Sequence, residues 1–117
     1  MTSEEKSKCG KIIREATIRS TIIPDEMYHR AEMPFVEVNI TMIIRLGTVF
    51  CKEISKNVAE YIFAVAYAQV IPKVISQIEQ RKVLQLLVKW IPILGRVAYN
   101  VAITQKLGWY VANEFAT

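Results

Sequence analysis

Between residues 34 and 54 most of the polar side chains fall on one narrow line. Glu37, Thr41, Arg45, Thr48 and Lys52 follow one another at intervals of four, four, three and four residues, while Val36, Ile40, Ile43, Ile44 and Phe50 fill the rest of the circumference. This spacing predicts a mostly buried amphipathic helix opened by Pro34, whose missing N–H is harmless in a first turn. The Ile and Val content of residues 36–50 is the main argument for strands, because β-branched side chains favour them. Sustained apolar/polar alternation bounded by hairpin turn residues is nevertheless absent, and helix is the better reading.

Helices are expected on both sides. Ser3 is the expected N-cap of a first helix running to about Ile22, with Glu4 and Glu5 in its first turn and Pro24 beyond its end. Residues 24–33 read as a polar loop. Ser55 is the expected cap of a third helix from about Lys56 to Glu79, kinked at Pro72, with Glu60 and Lys73 marking its wet side. A fourth helix is expected from about Arg81 to Ile91, turning Leu84, Leu87 and Val88 inward and stopped by Pro92. After a tight turn at Gly95, a fifth from about Arg96 to Phe115 carries so little charge that it must be covered almost all round.

The expected architecture is an all-α, single-domain bundle of about five helices spanning residues 1–117, with an N-terminal helical arm and loop over 1–33 and an antiparallel core over 34–116. Gly47 and Gly108 fall inside helices, where each costs about 1 kcal/mol against alanine, so both predict close approach of another helix. Asn100 and Thr104, four residues apart in apolar surroundings, predict a buried polar network.

Composition sharpens this picture. At 117 residues and 52% hydrophobic, with 22% charge, the chain carries more apolar surface than a small globule hides, which predicts self-association or a partner. Phe35, Trp90, Trp109 and Tyr110 are the expected anchors, because aromatic side chains dominate such contacts. The expected partner is a protein or a second copy of the chain, with a membrane surface as the alternative. The longest uncharged stretch, Tyr61 to Pro72, is about half of a bilayer crossing and is bracketed by Glu60 and Lys73, so no spanning helix is expected. An inserted hairpin of short helices within 83–116 is the membrane alternative. Net charge is +4, yet Lys6, Lys8, Lys11, Arg14 and Arg19 are interleaved with Glu4, Glu5 and Glu15, and nucleic acid is not an expected partner.

No chemistry is expected. His29 stands near Asp25, Glu26 and Glu32, but one histidine without cysteine ligands or helical His spacing does not make a metal site. Cys9 lies among lysines that would lower a thiol pKa, yet no base is positioned for it. Gly10, Gly47, Gly95 and Gly108 are isolated, so no phosphate-cradling loop is present and nucleotide hydrolysis is not expected. The expectation is no catalytic residue, no metal and no cofactor. Cys9 and Cys51 read as free thiols, and the charged N-terminus has no signal-peptide core, which predicts a cytoplasmic location, with the inner face of the membrane as a peripheral site.

The order of Met33-Pro34-Phe35, Thr41-Met42-Ile43, Lys89-Trp90-Ile91-Pro92-Ile93-Leu94-Gly95 and Leu107-Gly108-Trp109 resembles the helical domain of unknown function family 697. That domain lies C-terminal to small bacterial GTPase domains and in some inner-membrane proteins, and the likeness covers roughly residues 33–116. Glu37 stands for the family's early acidic residue; Val97 and Tyr99 replace smaller residues, and residues 24–33 read as an insertion. The resemblance implies an accessory helical module and brings no catalytic residue with it. The expected function is therefore a non-enzymatic interaction or assembly module, accessory to a GTPase or a membrane-proximal complex. A membrane-active, pore-forming or bilayer-associated protein and a hydrophobic-ligand carrier are the alternatives.

Overall fold

A computed structural model describes residues 1–21, 32–80 and 92–117. Its described residues form four helices and no strand: α1 (Ser3–Ser20), α2 (Glu32–Val49), α3 (Lys56–Gln80) and α4 (Pro92–Ala116). The helix expected over Arg81 to Ile91 and the loop carrying His29 lie outside the described residues.

The cap of α1 is Thr2, not the expected Ser3. The Glu5 N–H donates to Thr2 Oγ1 at 3.1 Å and the Thr2 N–H donates to Glu5 Oε1 at 2.8 Å, a reciprocal capping box. A box needs an acid or amide three residues after its cap, and Ser3 has Lys6 there. The helix ends at Ser20, two residues before the expected end, where the hydroxyls of Ser20 and Thr21 donate to the carbonyls of Thr17 and Ile18. Ser55 does cap α3, its Oγ accepting the Val58 N–H at 3.3 Å.

Pro92 opens α4, and Gly95, expected in a tight turn, lies within that helix. Proline fits a first helical turn because that turn has no intrahelical use for its N–H, and none of the described glycines has a positive φ. Pro72 is inside α3. It and Ala68, whose carbonyl loses its usual donor, are both exposed, so water can satisfy the orphaned oxygen.

All five members of the polar line are exposed, but only Glu37, Thr41, Arg45 and Thr48 lie on α2, Lys52 falling beyond its end at Val49; Asn39, Ile40, Met42, Ile43 and Leu46 are buried on the inner side of the helix. α2 and α4 form the short diagonal of the bundle, and α1 and α3 each pack against both. The diagonal pair runs parallel, for Asn39 meets Thr104, Met42 lies against Gly108 and Phe50 meets Phe115. α3 returns antiparallel to α4, with Tyr61 beside Glu114 and Tyr67 beside Tyr99. Because α4 touches the three other helices, its low charge is explained by cover on every side but one.

α1 is not an arm. Cys9, Ile12, Ile13 and Ala16 are buried at the three- and four-residue spacing of one helix face, and they join the same core as Ile43, Leu46, Ile103, Leu107 and Val111. The many charges between these positions disguise α1 as a solvated helix in the sequence.

Both internal glycines stand at close approaches. A Cβ on Gly108 would lie 2.7 Å from Ile13 Cγ1 and 3.0 Å from Met42 Sδ, so this residue marks the meeting point of α1, α2 and α4. At Gly47 the neighbour is a loop and not a helix. A Cβ there would lie 2.6 Å from Ile54 Cγ1 and 3.1 Å from the Lys52 carbonyl oxygen. The chain folds back over Gly47 through a Schellman motif, in which the Lys52 N–H donates to the Gly47 carbonyl at 2.9 Å and the Cys51 N–H to the Thr48 carbonyl at 3.1 Å.

That motif places Cys51 at φ 57°, the left-handed conformation for which glycine is the usual residue. A side chain there costs about 1–2 kcal/mol. Since Cys51 is exposed and unpaired, Cys51→Gly is expected to stabilise the fold by about 1 kcal/mol. Chemical denaturation of the two proteins checks this, and an unchanged or lower midpoint would count against the loop geometry.

Candidate interaction surface

The outward side of α3 is built from the residues that its inward side leaves over. Ala59, Ala66, Val70 and Val74 are buried, which turns Val58, Tyr61, Ala64, Val65, Ala68 and Pro72 outward. Tyr61 is 72% exposed, Val58 47% and Val65 43%, and no charged residue occurs from 61 to 72. Three large apolar side chains standing in water on successive turns form a patch, unlike scattered exposed leucines on ordinary surfaces.

Beside this face, α3 and α4 enclose a groove of about 190 Å³ floored by Ile62, Ala66 and Val111 and rimmed by Tyr61, Tyr110, Glu114 and Phe115. Its volume is below the usual range of small-molecule sites, about 300–1,000 Å³. It accommodates a side chain and not a whole lipid. At its far edge Phe115 is held by Phe50, ring centroids 6.5 Å apart, and by the Lys52 ammonium 5.8 Å from its ring centre. Glu114 and Lys52 are therefore the charged groups at the edge of an apolar groove.

The expected anchors have separate fates. Phe35 packs edge-on against Phe63 at 6.4 Å, and Trp109 lies over Gly10, 3.8 Å from where a Cβ would stand; both are half-buried against the core. Tyr110 lines the groove. Trp90 lies outside the described residues. Tyr61 and Val65, the most prominent members of the patch, had been legible only as part of an uncharged stretch.

The buried polar contact also has a different membership. Thr104 is fully buried, but its partner is Asn39 on α2, whose Nδ2 donates to Thr104 Oγ1 at 3.4 Å and to the Phe35 carbonyl at 2.8 Å. Asn39 Oδ1 is buried and has no hydrogen-bond partner. Asn100 is half-buried. The missed signal was Asn39 itself, two residues from Glu37 and so on the opposite side of α2 from the polar line.

Cys9 does not face the lysines. It is buried, and both burial and the nearby Glu5 carboxylate push its thiol above the usual range, the reverse of what a nucleophile needs. Burial likewise raises the Tyr99 hydroxyl, helped by Tyr67 beside it. On the surface, Arg45 donates to Glu15 at 2.7 Å and holds that carboxyl below its ordinary value. Among the described residues no group of three His, Cys, Asp or Glu side chains is placed to hold a metal. The grouping of His29 with Asp25, Glu26 and Glu32 lies outside the described side chains.

Compared with known proteins, the chain matches no protein-family model, no curated protein and no solved structure. Among the described residues, no helix is long and apolar enough to cross a membrane.

Proposed function

We propose that this chain is a non-enzymatic helical interaction module whose working surface is the outward face of α3 with the adjoining groove. The observation that carries this reading is the uncharged, exposed run from Tyr61 to Pro72 on a bundle whose outward faces on α1 and α2 are charged or polar apart from the isolated Ile18. A helix needing only solvent on that side would gain from lysine or glutamate there at no cost to its core. The resemblance of residues 33–116 to an accessory helical domain supports the same reading and suggests a GTPase or a membrane-proximal complex as the wider assembly.

A photo-crosslinking residue placed at Tyr61 tests the surface directly. In living cells it is expected to give a discrete covalent adduct of this chain, while the same residue at Lys11 on the outward side of α1 gives none. Equal labelling at both positions, or none at Tyr61, would refute the proposal.

A further inference from the structure

We propose that the occupant of the α3 face is the α3 of a second copy, running antiparallel about a twofold axis midway between Val65 and Ala68. This rests on the reading of α3 as the working surface and names its partner. Val58, Tyr61, Val65, Ala68 and Pro72 follow at intervals of three, four, three and four, which is the a/d spacing of a two-helix seam, and all five are exposed. Most amphipathic helices spend that seam on their own core. Here the core is served by a different side of α3, through Ala59, Ala66, Val70 and Val74, and the seam is left over.

In an antiparallel pair each a layer faces a d layer, and aligning Val65 with the partner's Ala68 also brings Tyr61 opposite the partner's Pro72, so the four central layers each set a larger side chain against a smaller or flatter one. The flanks of the seam, Asn57, Ala64 and Gln69, are uncharged, so two copies approach without like-charge repulsion. From Val58 to Pro72 the seam is about 22 Å long. With Tyr61, Val58 and Val65 exposed to the extents given above, pairing removes on the order of 1,000 Å² in total, the lower limit for a specific contact and the size of a reversible dimer. A membrane surface is the poorer occupant, because the charged residues bordering the face are of both signs, Glu60 and Glu114 with Lys52 and Lys73, and form no continuous cationic rim for anionic lipid.

Sedimentation equilibrium of the full chain from about 1 to 300 µM, without detergent, tests the pairing through charge substitution. The wild type is expected to pass from monomer to dimer within this range. Val65→Glu and Ala68→Arg are each expected to weaken dimerisation at least tenfold, since each buries two unpaired charges in the seam. Val65→Glu/Ala68→Arg together are expected to restore it, because each new carboxylate then faces the partner's new guanidinium. Both positions are exposed, and unchanged circular dichroism and melting of the monomers would separate lost pairing from lost folding. A wild type that stays monomeric throughout, a dimer indifferent to the single substitutions, or a double variant that fails to recover would each overturn the proposal. So would a monomer that co-sediments with phosphatidylglycerol vesicles and loses them on Val65→Glu. The mass of the Tyr61 adduct keeps the two readings apart: twice the chain mass supports the pairing, another mass refutes the pairing alone, and no adduct refutes the working surface itself.

Discussion

Gly108→Leu is expected to cost about 3 kcal/mol or more and to lower the melting temperature by well over ten degrees, whereas Lys106→Ala, two residues away and so on the opposite side of α4 from the contact, should change stability by under about 0.5 kcal/mol. The reason is the position of Gly108 between two other helices. Even a methyl group there would stand 2.7 Å from Ile13 Cγ1, 3.1 Å from Ile13 Cδ1 and 3.0 Å from Met42 Sδ, closer than packed carbon and sulfur atoms come. Gly108→Ala separates two opposing effects. Alanine gains about 1 kcal/mol of helix propensity, so a net loss would show that the clash outweighs it. Ile13→Ala removes both clashing carbons of α1, and the Ile13→Ala/Gly108→Ala pair should therefore destabilise less than the sum of its single changes, by about 1 kcal/mol. Additive losses would mean that α1 does not close over α4 at this point.

That contact also shows where the sequence was informative. Gly108 within an otherwise continuous helical pattern is a strong local sign, since a helix that carries glycine must recover its cost from packing. The polar line of α2 was legible for a similar reason, because four exposed positions at helical spacing leave few arrangements of the rest. Local signs could not reveal which helix meets which. α1 reads as a charged arm because Lys, Arg and Glu surround Cys9, Ile12, Ile13 and Ala16, and only the opposing faces of α2 and α4 turn those four into core. The sequence of α3 shows an uncharged run, but whether Tyr61 and Val65 lie in the core or in water depends on Ala59, Ala66 and Val70 taking the inward side. Small residues win that side because α2 and α4 already touch along the diagonal and leave α3 little depth to fill. Pro92 is ambiguous for a backbone reason: the same ring that ends one helix begins another, and its neighbours do not decide between the two.

Asn39→Asp is the substitution for which the fold makes the sharpest statement about pH. Asn39 has no exposure to solvent, its Nδ2 donates to the Phe35 carbonyl and to Thr104, and its Oδ1 has no partner. An ionised carboxylate in this position would face a carbonyl oxygen where the amide donates, and would lack any cation to pair with. A loss of about 3–5 kcal/mol at neutral pH is expected, the cost of an uncompensated buried charge. The new carboxyl would keep its proton in the folded chain to a pH well above the unfolded value of about 3.9. Its folded pKa is thus raised, and the sign follows: the variant approaches wild-type stability in acid, where the protonated oxygen can donate to Phe35 as the amide does, and falls behind as pH rises past the unfolded pKa toward the folded one. Glu15 behaves in the opposite sense, because Arg45 lowers its folded pKa and its contribution is lost as pH falls through that value. Asn39→Leu serves as the neutral reference. It removes the unpartnered oxygen together with the two side-chain hydrogen bonds, leaves the buried Thr104 hydroxyl without its partner, and should cost about 1–3 kcal/mol, the same at every pH. Melting curves of the three proteins from acid to neutral pH measure the gap between the Asp and Leu variants. A gap that stays constant across that range would mean that position 39 is hydrated and that α2 and α4 do not close around it.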